Sequence, residues 1–128
     1  MPHMSIEYSA NLDTHVDMAE LCDVVRQAML ASGMFEIGGV RVRAIRCEAY
    51  SVADALPENA FVAMTLRVGQ GRPAETRKAA GEAIFAATRD YLHRMFDSPH
   101  FALSLDMSEI QSDFSWKQNS IHSRLRGK

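Results

Sequence analysis

Positions 3 to 9 alternate. Met4, Ile6 and Tyr8 fall on one side and His3, Ser5, Glu7 and Ser9 on the other, which is the period of a half-buried strand. A polar connection, "ANLDTHVD", leads to Asp17, which can cap a helix and has Glu20 three residues on to complete a capping box. Met18, Leu21, Cys22, Val25 and Met29 then recur at helical spacing, and Gly33 is a natural stop. "GGVRVRAIRCEAYSV" (38–52) predicts a second strand with Val40 and Val42 on one face and Arg41 and Arg43 on the other. Its alternation blurs at Ala44 and Ile45, which predicts a bulge. After a turn-like "DALPEN", residues 60–72 predict a third strand, with Val62, Met64, Leu66 and Val68 sharing a face. Pro73 suits the first turn of a second helix. The apolar stripe of that helix runs from Ala80 through Ile84, Phe85, Thr88, Tyr91, Leu92 and Met95 to Phe96, and "DSP" stops it. "FALSLDMSEI" (101–110) predicts a fourth strand, and the polar tail carries Phe114, Trp116 and Ile121 as isolated anchors.

The order is β-α-β followed by β-α-β, in halves of roughly 2–50 and 59–110 with a C-terminal tail, within one domain of 1–128. Strands joined through a helix pair in parallel by a right-handed crossover, so both helices lie on the same face of a four-stranded sheet. The other face carries Ser5, Glu7, Thr65, Ser104 and Asp106. That set is too polar for a dry core and suits a wet subunit interface or channel.

Composition narrows the classes. With 47% hydrophobic and 23% charged residues in 128, the chain is globular and long enough to bury a core unaided. A net charge of −2 gives no support to nucleic-acid or anionic-membrane binding, so any charge logic must be local. Two cysteines, Cys22 and Cys47, have no recognisable spacing and read as reduced thiols of a cytoplasmic protein. No apolar run is long enough to span a membrane, and no basic stretch precedes an apolar core at the N-terminus. The five histidines show no metal spacing, no nucleophile elbow is present, and the eight methionines lie mostly on the apolar stripes.

Three places carry candidate chemistry. Pro2 is either a stiff residue at the start of a strand or, once Met1 is removed, a secondary amine at the chain end. Proline forms about 5% of average sequence, so composition alone favours the first reading. Under the second, burial and nearby arginines would lower the amine pKa and make a general base. In "GQGRPAE", Gly69 and Gly71 permit a tight turn. Arg72 is either a solvated residue beside an ordinary cap or part of a carboxylate site at the helix N-terminus. Arg41 and Arg43 need solvent, acids across the sheet, or a bound anion. Arg124, Arg126 and Lys128 read as a solvated end.

Taken together, "MPH", "GGVRVR", "AFVAMTLRVGQGRPAETRKAAGE", "FALSLDMSEI" and "KQN" followed by "IH" resemble the tautomerase superfamily, and within it the 5-carboxymethyl-2-hydroxymuconate isomerases, along nearly the whole chain. The resemblance implies an α+β protomer of order βαββαβ, assembled as a homotrimer and using no cofactor. It implies a catalytic Pro2 exposed by loss of Met1, and Arg41 and Arg72 binding the carboxylates of a dicarboxylate or tricarboxylate substrate. It also implies Trp116 and Phe114 walling the site. The activity implied is proton movement within a 2-hydroxymuconate-type dienoate, in the breakdown of aromatic acids such as homoprotocatechuate. A retained Met1 would hold the Pro2 nitrogen in an amide. The alternatives are a non-catalytic trimeric interaction module on the same fold and a tautomerase-fold enzyme with another substrate.

Overall fold

The computed structural model describes residues 1–127 and contains one four-stranded sheet of order β2-β1-β3-β4. The strands are β1 (His3–Ser9), β2 (Arg41–Cys47), β3 (Ala60–Gly69) and β4 (Phe101–Ile110); the helices are α1 (Met18–Ala31), α2 (Ala74–Tyr91) and α3 (Ser120–Leu125). β1 pairs in parallel with β2, β3 in parallel with β4, and the two halves join through the antiparallel pair β1·β3. The expected α+β, mixed-sheet protomer is therefore the one observed.

β1 and β4 match their predicted spans, and β3 starts where predicted. Met4 and Ile6 of β1 and Val62, Met64, Leu66 and Val68 of β3 are buried against Leu21, Val25 and Met29 of α1 and Ala80 and Ile84 of α2. Full burial of one such aliphatic side chain contributes about 1.5–3 kcal/mol. Asp17 caps α1 by accepting from the Glu20 N–H at 3.1 Å. Gly33 follows the last turn at φ +74°, a conformation that favours glycine.

Four local expectations are corrected. β2 pairs without interruption from His3↔Arg41 to Ser9↔Cys47, so there is no bulge at Ala44 and Ile45. The pattern blurs because the small Ala44 faces the core while Ile45, 43% exposed, stands on the open face. β2 and β3 are also shorter than their apolar runs. Pro73 is the N-cap of α2, with φ −58° and ψ 149°, not a residue of its first turn. α2 ends at Tyr91, because Leu92 leaves helical geometry (ψ 13°) and His93 Nδ1 takes the Asp90 carbonyl at 2.8 Å. Met95 and Phe96 then lie on a 3-10 segment, His93–Asp97, where the Phe96 ring meets Phe101 edge-on at 5.0 Å.

The tail is more ordered than its composition suggests. It forms a 3-10 turn at Ser112–Phe114 and then α3, and Arg126 pairs with Glu36 and is not free in solvent. Lys128 lies outside the described residues. Both long helices lie on one face of the sheet, as predicted. Across the other, Arg41, His3, Arg67 and Ser108 form one row, and Arg43, Ser5, Thr65 and Asp106 the next. No helix is long and apolar enough to cross a membrane among the described residues.

Candidate active site

The chain end is held at the start of an inner strand. Pro2 is buried immediately before β1, which has β2 on one side and β3 on the other. The site is closed from behind by the tail. Asn119 caps α3, accepting from the N–H groups of Ile121 and His122 at 2.9 and 3.2 Å, and its amide donates to the Gly38 carbonyl at 2.8 Å. Two glycines allow that approach. A Cβ on Gly38 would stand 2.6 Å from His122 Nδ1 and 2.9 Å from His122 Cα, and one on Gly39 would touch Pro2 Cδ at 3.4 Å. Asn119 of "KQN", His122 of "IH" and the glycine pair thus form one device that packs α3 onto the Gly38–Gly39 turn, which itself abuts Pro2.

Beside Met1 and His3, the chain neighbours of Pro2, lies a cavity of about 510 Å³, lined also by Arg41, Arg67, Gln70, Trp116 and Lys117 among others and by no aspartate or glutamate. A second cavity of about 620 Å³ lies between α2 and β4, but its Arg77 already faces Glu109 at 3.8 Å and it holds no unpartnered buried polar atom. The cavity at the chain end differs on both counts. Arg41 Nη1 and His3 Nδ1 are buried there without a hydrogen-bond partner among the described residues. A buried polar atom left unpaired is costly, and Arg41 Nη1, always a donor, is suited there to an anion. Met1 Sδ accepts weakly from Arg41 Nη2 at 3.3 Å and from Asn119 Nδ2 at 3.1 Å.

The field in this cavity acts on the amine. Burial, followed by the charges of Lys117, Arg72 and Arg41, lowers the pKa of the Met1 amine from its ordinary 8.0. Burial, with Arg41, Arg67 and Arg43 around it, also lowers the pKa of His3, so its imidazole is neutral at pH 7.

Of the residues singled out from the sequence, Arg41 and Trp116 line this cavity, while Pro2 is buried behind its neighbours Met1 and His3, which do line it. Trp116 stands at the rim, 85% exposed. Phe114 is 73% exposed and does not line the cavity. Arg72 is close enough to act on the amine through its charge, yet it does not line the cavity either. Its Nη1 donates to the Gly69 carbonyl at 3.2 Å, its Nη2 donates to the Met34 carbonyl at 3.0 Å, and its guanidinium lies 5.5 Å from the Phe35 ring centre. His3, Arg67, Lys117, Asn119 and His122 were not singled out. The signal available for His3 and Arg67 was their place on the polar face of strands whose other face is apolar. Among the described residues no three His, Cys, Asp or Glu side chains are grouped as a metal would need.

A family model described as 5-carboxymethyl-2-hydroxymuconate isomerase matches residues 2–125. A 5-carboxymethyl-2-hydroxymuconate Delta-isomerase of Escherichia coli is 32% identical over 126 residues, which cover 98% of this chain and 100% of that protein. The crystal structure of a 5-carboxymethyl-2-hydroxymuconate isomerase from Deinococcus radiodurans R1 superposes with a TM-score of 0.90 at 37% identity, covering 98% of this chain and 94% of that one. A native fused 4-OT, at 20% identity and a TM-score of 0.60 over 98% and 99% of the two chains, shares the fold.

Proposed function

The chain belongs to the 5-carboxymethyl-2-hydroxymuconate isomerase family of the tautomerase superfamily, and on that premise we propose that it isomerises 5-carboxymethyl-2-hydroxymuconate with Pro2 as the proton carrier. Removal of Met1 makes Pro2 the terminal secondary amine. It then occupies the end of the cavity whose burial and cations already lower the pKa of the Met1 amine. A neutral amine takes the proton from the 2-hydroxyl group, and the resulting ammonium returns it to a distant carbon of the conjugated chain. The proton leaves and re-enters one molecule, so the reaction is balanced without a cofactor. Arg41, with one buried N–H group unpartnered, meets the carboxylate and the oxygen on which charge accumulates. That charge grows in the transition state, where a fixed cation is most effective.

The observation that carries this reading is the acid-free, cation-lined cavity around the chain terminus of a member of this family. The open sheet face is the surface for assembly into a trimer. The two free cysteines suit a reducing compartment, which supports the cytoplasm as the place of action. The test is to prepare protein with and without Met1, verify each by intact mass, and follow loss of the dienol chromophore of 5-carboxymethyl-2-hydroxymuconate. Processed protein should turn over, and Pro2→Ala should lose most of the activity, since general base catalysis supplies about 10²–10⁴-fold. Equal rates with Met1 wholly retained would refute the role of Pro2.

A further inference from the structure

The resemblance assigns the far carboxylate to Arg72, but both terminal nitrogens of Arg72 are committed to backbone carbonyls of its own chain. Other cations face the cavity. Arg67 of β3 and Lys117 of the tail both line it, and neither makes an ion pair among the described residues. Four arginines elsewhere find acids, Arg26 with Asp23, Arg46 with Asp13, Arg77 with Glu109 and Arg126 with Glu36, and what sets the cavity's cations apart is that they converge on one wall that no acid lines. Unpaired cations gathered on an acid-free wall, beside two buried polar atoms without partners, are arranged for an anion.

The register sets their separation. His3 pairs with Arg41 on one side and with Arg67 on the other, all three on the open face. Two strand spacings of about 4.8 Å put the Arg41 and Arg67 Cα atoms about 9.6 Å apart. In muconate a four-carbon diene separates the two carboxylates, a span shorter than that row, so long side chains rooted at its two ends can each turn inward onto one carboxylate. The neutral His3 imidazole lies between them, so the middle of the row carries no charge and the two ends do.

We propose that Arg67 and Lys117 form the second carboxylate anchor of this cavity, opposite Arg41, and that this pair, not Arg72, selects substrates carrying two separated carboxylates. The identity of the substrate rests on the isomerase reading; the position of the anchor does not. Two inert ligands with one carbon skeleton isolate the effect: trans,trans-muconate has a carboxylate at each end, and sorbate has only one. Isothermal titration calorimetry on Met1-free protein reads both, with circular dichroism as the check on folding.

Wild-type protein should bind muconate more tightly than sorbate. Losing one charge-assisted bond to a carboxylate weakens binding about 10- to 100-fold, so Arg67→Gln should lose that much for muconate. Sorbate binding should stay within about threefold, the range of an ordinary surface change. Lys117→Gln should act in the same direction, and Arg67→Lys should recover part of the loss. The proposal is overturned by any of three results: no preference for muconate in wild type, a preference that survives Arg67→Gln with Lys117→Gln, or its removal by Arg72→Gln alone. Failure of the isomerase reading is a separate outcome, in which the muconate preference stands but 5-carboxymethyl-2-hydroxymuconate is not turned over.

Discussion

Gly38→Ala tests whether the docking of α3 builds the site. The added Cβ would stand 2.6 Å from His122 Nδ1, 2.9 Å from its Cα and 3.0 Å from its backbone N, so rotating the imidazole cannot relieve the clash. Overpacking of this kind costs about 1–3 kcal/mol. The contacts holding the helix are of similar size. The Asn119 amide bond to the Gly38 carbonyl contributes about 0.5–1.5 kcal/mol. The Asn119 cap contributes about 0.5–2 kcal/mol, and a six-residue helix has little stability of its own. The Arg126–Glu36 pair is exposed and adds little. The substitution should therefore lift α3 off the Gly38–Gly39 turn while the sheet, whose core includes no α3 residue, stays folded. In hydrogen exchange, the amides of Ile121 and His122 should exchange about 10- to 100-fold faster at each 1.4–2.8 kcal/mol of lost docking, with β1 and β3 unchanged. Activity should fall with docking. Gly39→Ala is the internal control: its Cβ would meet the His122 ring and Pro2 at 3.4 Å, an ordinary contact, and should cost much less. Wild-type exchange at Ile121 and His122 in Gly38→Ala would remove α3 from the account of the site.

Which parts of this molecule could be read from sequence follows from how local their causes are. β1, β4 and the start of α1 match because one-sided burial and a capping aspartate write themselves into consecutive residues. β2 misleads because an edge strand puts an isoleucine on its open face, and α2 runs short because a histidine ring competes for a helical carbonyl. Arg41 was legible as an arginine on the polar face of a strand, whereas Pro2 by itself read as a stiff residue at a strand start, and only the resemblance made it a terminal amine. Arg67 and Lys117 reach the same cavity through the β1·β3 register and a tail that Asn119 ties to Gly38, pairings between distant positions that no local pattern encodes. Arg72 shows the converse: its sequence setting suits an anion, and its position gives it two carbonyls and an aromatic ring.

Arg41→Ala should depress kcat more than it raises KM, because Arg41 meets charge that grows during the reaction; an effect on KM alone would assign it to ground-state binding. Arg72→Ala should lower thermal stability by about 1.5–3 kcal/mol through its lost carbonyl bonds; if a melt leaves stability unchanged and only KM rises, Arg72 binds substrate after all. Gly81→Ala, inside α2 with its new Cβ 3.4 Å from Met107 Cε, should stabilise by about 0.5–1 kcal/mol, and a lowered Tm would show that Met107 cannot yield. The pH profile completes the set. A base must be neutral to act, so activity rises with pH through the Pro2 amine pKa. The burial and the charges of Lys117, Arg72 and Arg41 that lower the pKa of the Met1 amine at this place should lower that limb too. Removing a neighbouring cation restores stability to the ammonium and raises its pKa, so Lys117→Gln should shift the acidic limb of kcat/KM to higher pH. The starting position of the limb is diagnostic. A carboxylate base would also gain pKa from a lost cation, but its limb would start near pH 4 and not near neutrality. An acidic limb below pH 5, or one that Lys117→Gln leaves in place, would take the amine out of the mechanism.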